Sequence, residues 1–214
     1  MVPKFPEPPA VAVLQQVKPD IKVLRVVTVV WRVYFRGGTH PTLWWVFRQF
    51  GPIDGRFDQQ LPDANGNPCL QDRAILYAAL QGPTCLAEVF QDSRVIDRRA
   101  RNPWLVAFRL RQKLQLLDLT GTWPTRAGAS MAINTGSRLR AQRWARVIYD
   151  AYPTLHGLYY PSSMHANQPV IALYERAKDT GALPARPLFH RSLSDPSLLT
   201  VLRNVAIDLG YLLV

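Results

Sequence analysis

The apolar positions of this chain change period along its length. From Val23 to Phe35 they are β-branched, aromatic and nearly continuous, which predicts one or two strands ended by Arg36-Gly37-Gly38. Ile75 to Leu80 predicts a short buried strand. Trp104 to Leu110, Leu114 to Leu119, Leu155 to Tyr160 and Val170 to Tyr174 predict four more. Helical spacing takes over after Gly82-Pro83-Thr84, predicting a helix over about 84–91 with Thr84 as its cap and Glu88 inside. A second helix is predicted over 137–151. Trp144, Val147, Ile148 and Ala151 recur on one side, with Arg138, Arg140, Arg143 and Arg146 elsewhere around it. A third helix at about 196–209 is capped by Asp195, has Pro196 in its first turn and ends at Gly210. Its apolar stripe is Leu198, Val201, Leu202, Val205 and Leu209.

Between these elements, residues 36–74 are rich in Gly, Pro, Asp and Asn. They predict a long irregular loop around the aromatic island Trp44-Trp45-Val46-Phe47, and loops of that length usually carry function. The N-terminal residues hold Pro3, Pro6, Pro8, Pro9 and Pro19. They predict an extended arm over 1–22 that lies on the surface or on a partner, with 23–214 as a single domain. Strands scattered among helices without regular alternation predict a mixed α+β fold.

Composition narrows the function classes. The 214 residues are 48% hydrophobic, enough for a full core. Only 19% are charged, yet the formal net charge is +11. Scarce but lopsided charge excludes a coiled coil and favours an anionic partner: nucleic acid, a phosphorylated small molecule or an acidic protein. Arg25 and Arg32 interrupt the longest apolar run, so no membrane span is expected, and no secretory leader is visible. Cys69 and Cys85 have no metal-ligand spacing, His40, His156, His165 and His190 are isolated, and no metal site is expected. Two ordinary thiols fit a reduced, cytoplasmic setting. No phosphate-binding glycine loop, zinc-protease or serine-hydrolase motif occurs.

Glutamate occurs only at Glu7, Glu88 and Glu175. Glu7 lies in the arm, and Glu175 sits in a polar run that predicts exposure. Glu88 lies among apolar neighbours in Cys85-Leu86-Ala87-Glu88-Val89-Phe90. It is either a solvent-facing residue of an amphipathic turn or an acid held in a cleft at the end of a strand. Arg32 interrupts a strand, so it is either an edge residue facing water or a cation directed into a polar cleft. Arginine greatly outnumbers lysine, and its planar fork suits phosphate. Ser162-Ser163 alone reads as an ordinary turn.

In order, these segments resemble the RES domain, a family named for its arginine, glutamate and serine. The arginine strand is Val30-Trp31-Arg32-Val33-Tyr34, and a Gly-Arg-aromatic element follows at Gly55-Arg56-Phe57. The strand Ile75-Leu76-Tyr77-Ala78-Ala79 runs into a helix bearing Leu86-Ala87-Glu88. The segment Gly157-Leu158-Tyr159-Tyr160-Pro161-Ser162 then precedes the strand Val170-Ile171-Ala172-Leu173-Tyr174. The match spans about residues 25–177. Two departures stand out: Ser163 replaces an arginine that many members carry after the serine, and Gly-Arg-Trp is Gly-Arg-Phe here. The first leaves Ser162 and Ser163 both open as the functional serine, with spacing favouring Ser162.

The resemblance implies an ADP-ribosyltransferase-like α+β fold, with short strands in a split mixed sheet and flanking helices. It also implies an NAD-consuming toxin paired with an Xre/ParS-type antitoxin in a hetero-oligomer, touching nucleic acid only through that antitoxin. The implied reaction is cleavage of the nicotinamide–ribose bond, with NAD as substrate and no resident cofactor. The acceptor is water or phosphate, giving an NAD glycohydrolase or phosphorylase, or a protein side chain, giving an ADP-ribosyltransferase. On this resemblance Glu88 opposes the ribosyl cation, Arg32 and Arg56 neutralise phosphates, Tyr77 stacks on nicotinamide or closes the pocket, and Ser162 bonds the ribose or carboxamide. Surplus arginine also suits an acidic antitoxin tail. Two competing classes remain: a basic nucleic-acid-binding protein and a non-catalytic interaction module. Against the first, the aromatics cluster with apolar rather than basic residues.

Overall fold

The computed structural model describes residues 3–214. Among them the strands are β1 (Ile21–Leu24), β2 (Val29–Phe35), β3 (Arg48–Gly51), β4 (Cys69–Ala79), β5 (Val95–Ile96), β6 (Pro103–Arg109), β7 (Leu114–Asp118), β8 (Gly157–Pro161), β9 (Pro169–Tyr174), β10 (Phe189–Ser192) and β11 (Leu212–Leu213). The helices are α1 (Val11–Leu14), α2 (Gly82–Val89), α3 (Trp123–Arg126), α4 (Ala132–Thr135), α5 (Arg138–Ala151), α6 (Glu175–Asp179) and α7 (Leu199–Leu209). The main sheet runs β1-β7-β8-β9-β4-β2-β6-β10, with β3 paired to β4 at one side. β7 and β8 are parallel; the other pairs of this sheet are antiparallel. β5 and β11 form a separate parallel pair.

The apolar run 23–35 becomes two strands with one register. Ile21 faces Leu117 and Leu24 faces Leu114, then Val29 faces Arg109 and Phe35 faces Pro103. β1 and β2 are therefore one bent strand, paired along a bent β6–β7 strand. At the bend Val27 has φ 71°, an outlier for a β-branched residue. It is pinned by Val27 N donating to Leu110 O, and Leu110 N donating to Thr28 O, each at 3.0 Å. The bend sends β1 and β7 to one end of the sheet and β2 and β6 toward the other. The result is a mixed α+β fold with a split sheet.

Alternation along the strands builds two cores. One face packs Val33, Ile75, Ala79 and Ala172 against Leu86 of α2, Trp144 and Ile148 of α5, and Leu202 of α7. The other gathers Val30, Tyr34, Leu76, Ala78, Val106 and Phe108 beneath Trp44 and Phe47. The aromatic island is thus half anchor: Trp44 and Phe47 are buried, while Trp45 and Val46 face solvent.

Several boundaries differ from the sequence reading. The 36–74 segment is not one irregular loop, because β3 and the first half of β4 form a hairpin arm within it. Cys69-Leu70-Gln71-Asp72-Arg73 alternates between partly buried and exposed positions, so a half-solvated ribbon there has the composition of a loop. α2 starts at Gly82 with Gln81 at its cap; Thr84 lies inside the first turn, its hydroxyl 2.8 Å from His165 Nδ1. Asp195 caps a 3-10 turn at Pro196–Leu198 that continues into α7, and Gly210 ends the helix at φ 67°. Val201 is 58% exposed, and Ala206 is buried in the stripe instead.

The N-terminal arm lies along α5. Phe5 is buried, Trp144 Nε1 donates to Pro6 O at 2.9 Å, and Glu7 pairs with Arg140 and Arg143. Tyr152 Oη donates to Leu14 O and Val17 O at 2.8 and 2.7 Å. Trp144 is fully buried and holds both the core and the arm. Trp144→Ala is expected to cost about 3–5 kcal/mol in urea unfolding. Limited proteolysis should then cut within residues 3–17 first; a melt equal to wild type would count against this account.

Candidate active site

Arg32 lies in a central strand, because β2 is flanked by β4 and β6. The edge-strand reading is therefore excluded by the topology. Its Nη1 donates to Trp44 O at 2.8 Å and Val46 O at 3.0 Å. Burial pushes the guanidinium down to about 10, so it stays charged at neutral pH. No carboxylate pairs with it among the described residues.

Glu88 sits in the last turn of α2, half-buried. The helix is fastened to β2 by Val33 N donating to Cys85 Sγ at 3.0 Å. Ser162 follows β8 directly, in the turn to β9, and is buried. Its hydroxyl donates to Glu88 Oε1 at 2.5 Å while accepting from Met164 N and His165 N at 3.1 and 3.0 Å. Burial holds the Glu88 carboxyl above its ordinary range, partly offset by the Ser162 hydrogen bond and by Arg56 and Arg138.

A cleft of about 600 Å³ runs past these groups. Arg32, Arg56, Tyr77 and Glu88 line it, and so does Ser163. Ser162 instead stands behind Glu88 and orients it. The two serines thus divide the positions between them: the buried one holds the acid and the exposed one faces the cleft. Arg56 donates to Gly136 O at 2.7 Å and is lowered by burial and by nearby Arg138. Tyr77 Oη donates to Asp58 Oδ1 at 2.8 Å and accepts from Phe57 N at 3.0 Å. Burial, then the Asp58 charge, raises its phenol well above the ordinary value.

Sequence reasoning missed Arg48, Arg138, Asn134 and Tyr160, which also line the cleft. Arg48 was hidden in what reads as loop, and Arg138 in a helix whose arginines read as a solvated face. Tyr160 had a signal, since it lies two residues before Ser162; its ring meets Phe57 edge-on at 4.6 Å. Glu175 is not exposed as its polar neighbours suggest. It is half-buried, accepts from Ala74 N at 2.9 Å and Tyr149 Oη at 2.5 Å, and does not line the cleft. Among the described residues, no three His, Cys, Asp or Glu side chains gather as metal ligands, and no helix is long and apolar enough to cross a membrane.

A split sheet with an arginine-lined cleft, and an acid fixed by a serine inside it, defines an α+β protein with an enzyme-like pocket. The RES domain family model matches residues 29–194, and the chain belongs to the RES domain family. Among solved structures it is similar to the crystal structure of the M. tuberculosis MbcT–MbcA toxin–antitoxin complex. Identity is 15% and the TM-score 0.57, over 91% of this chain and 97% of that one. At that identity the likeness establishes a shared fold. Comparison with curated proteins returned no match.

Proposed function

We propose that the protein is the toxin of a bacterial toxin–antitoxin pair, with an ADP-ribosyltransferase-like fold. In this reading it degrades NAD by cleaving the nicotinamide–ribose bond, with water or phosphate as acceptor. The observation that carries this reading is the Glu88–Ser162 pair set in a cleft with Arg32, Arg56 and Arg138. NAD asks for that combination: cations for a diphosphate and a half-buried carboxylate for a ribosyl cation. Membership in the RES domain family and a fold shared with a toxin–antitoxin complex support it.

In the proposed reaction the C–N bond breaks heterolytically and its electron pair returns to the pyridinium nitrogen, so nicotinamide leaves neutral. Positive charge moves to the ribose, where the Glu88 carboxylate opposes it. The acceptor oxygen then attacks C1′ from the open side. When the acceptor is water its proton passes to solvent or to Glu88; when it is phosphate no base is required. Ser162 acts here as a positioning residue, because its hydroxyl is spent on Glu88 and two backbone donors. Tyr77 and Tyr160 wall the pocket. The Xre/ParS-type antitoxin is the proposed partner in a hetero-oligomer.

The test is NAD loss by the purified protein, with products separated in phosphate and in a phosphate-free buffer. Nicotinamide release with ADP-ribose identifies water as acceptor; ADP-ribose-1″-phosphate identifies phosphate. Absence of NAD loss in both buffers by a folded protein would overturn the reading.

A further inference from the structure

Arg48 does not belong to the motif that carries the family resemblance, yet it enters the cleft with an unusual support. Its Nη2 pairs with Asp58 Oδ1 at 2.5 Å and its Nη1 donates to Phe50 O at 2.6 Å. Asp58 is wholly buried. The same Oδ1 accepts from Tyr77 Oη at 2.8 Å, and Oδ2 accepts from Ile53 N at 2.8 Å. One buried carboxylate therefore fixes a cleft cation, a cleft phenol and the turn between them.

The chain is also cleared around this unit. A Cβ on Gly55 would lie 2.1 Å from Asp58 Oδ1 and 2.6 Å from Tyr77 Oη. A Cβ on Gly51 would lie 2.7 Å from Arg48 Nη1. Gly51 leaves room for Arg48, and Gly55 for Asp58 and Tyr77, which marks the group as a built element. The pairing uses Arg48 Nη2 toward Asp58 and Nη1 toward a carbonyl, while the side chain stays 26% exposed at the cleft. A guanidinium has five donor hydrogens, so donors remain for an anion.

We propose that Arg48 is a binding residue for a phosphate oxyanion in the cleft, and that Asp58 is a positioning residue that presents it. This rests on the proposed NAD-degrading reading for its source of phosphate, either the dinucleotide diphosphate or inorganic phosphate as co-substrate. The shared chemistry is a tetrahedral oxyanion meeting a fork whose orientation is already fixed, so little rotamer entropy is lost on binding.

The test has a catalytic and a non-catalytic arm. Arg48→Ala is expected to raise the KM for NAD or for phosphate at least tenfold while changing kcat less than threefold. Whichever KM moves identifies the source. Arg48→Gln, which keeps a donor for Asp58, serves where the alanine variant fails to fold, with the same expectation. Asp58→Asn keeps the acceptor for Tyr77 and removes the charge that aims Arg48. It should raise the same KM with a smaller effect than Arg48→Ala.

The second arm measures the thermal shift given by ADP and, separately, by inorganic phosphate, without turnover. Wild type should be stabilised by at least one, and Arg48→Gln should lose that shift. If NAD is not consumed but the shift is present and lost in Arg48→Gln, the NAD reading fails and the anion site stands. If NAD is consumed and a folded Arg48→Gln keeps both wild-type KM values and the full shift, the anion site is overturned alone. Wild type with no shift from either probe and no turnover overturns both.

Discussion

Glu88→Gln is expected to lower kcat for NAD loss by about 10²–10³, with KM little changed, because it removes one preorganised electrostatic contribution from the reacting centre. Glutamine keeps the shape of the side chain, and its amide oxygen can still accept the Ser162 hydroxyl that now bonds Oε1 at 2.5 Å. What disappears is negative charge facing the ribose. That charge matters most when the sugar carries positive charge, so the loss falls on the transition state rather than on binding. Steady-state NAD turnover with thermal melts alongside decides it. A folded Glu88→Gln protein with wild-type kcat would sink the mechanism.

The same substitution makes a separate prediction about stability. Burial, the largest influence on Glu88, holds its carboxyl above the ordinary range in the folded state. An acid whose folded pKa is raised costs nothing below its unfolded pKa, and its penalty grows as pH rises through the folded value. The wild type bears that penalty wherever Glu88 is ionised in the folded state. Glu88→Gln should therefore melt at or above the wild-type temperature at pH 7, with the difference fading in acid. Activity should move the other way, falling as pH drops and Glu88 takes up a proton. A neutral-pH melt well below wild type would show that Glu88 holds the fold rather than serves the reaction.

The strands that carry the site were legible where both faces are buried. Ile75–Ala79 and Val170–Tyr174 sit in mid-sheet, and their apolar runs show it. The hairpin arm of β3 with early β4 was not legible, because the polar run Gln71, Asp72 and Arg73 is only half-buried and gives the composition of a loop. The split of the sheet came from the family resemblance and not from the strand pattern: it depends on which bent strand pairs with which, through contacts far apart in sequence. Within the site, Arg32 and Glu88 stood out as charges among apolar neighbours, whereas Ser162 stood out only through its order with the other family segments. Arg48 and Asp58 had no such signal. Their meaning comes from a pairing across β3 and the following turn, and from glycines whose missing side chains make room for it.

Arg32→Ala is expected to raise the KM for NAD by about 10–100-fold with a much smaller change in kcat, since hydrogen bonds to charged groups contribute about 1.5–3 kcal/mol. The argument starts from its partners. Two carbonyls, Trp44 O and Val46 O, take donors from Nη1, and no acid neutralises the charge among the described residues. Carbonyls orient a guanidinium without cancelling it, so Arg32 carries its full charge into the cleft. A diphosphate bears its charge in the ground state and in the transition state alike, so losing the cation weakens both equally. The carbonyl contacts bring a structural cost of their own, since they tie the 44–46 segment to β2. Arg32→Lys separates the two roles. Lysine keeps the charge but not the planar fork, and should recover part of the KM while leaving the melt near that of Arg32→Ala. If Arg32→Ala instead lowers kcat as much as Glu88→Gln does and leaves KM unchanged, Arg32 acts on the reacting ribose and not on the phosphates.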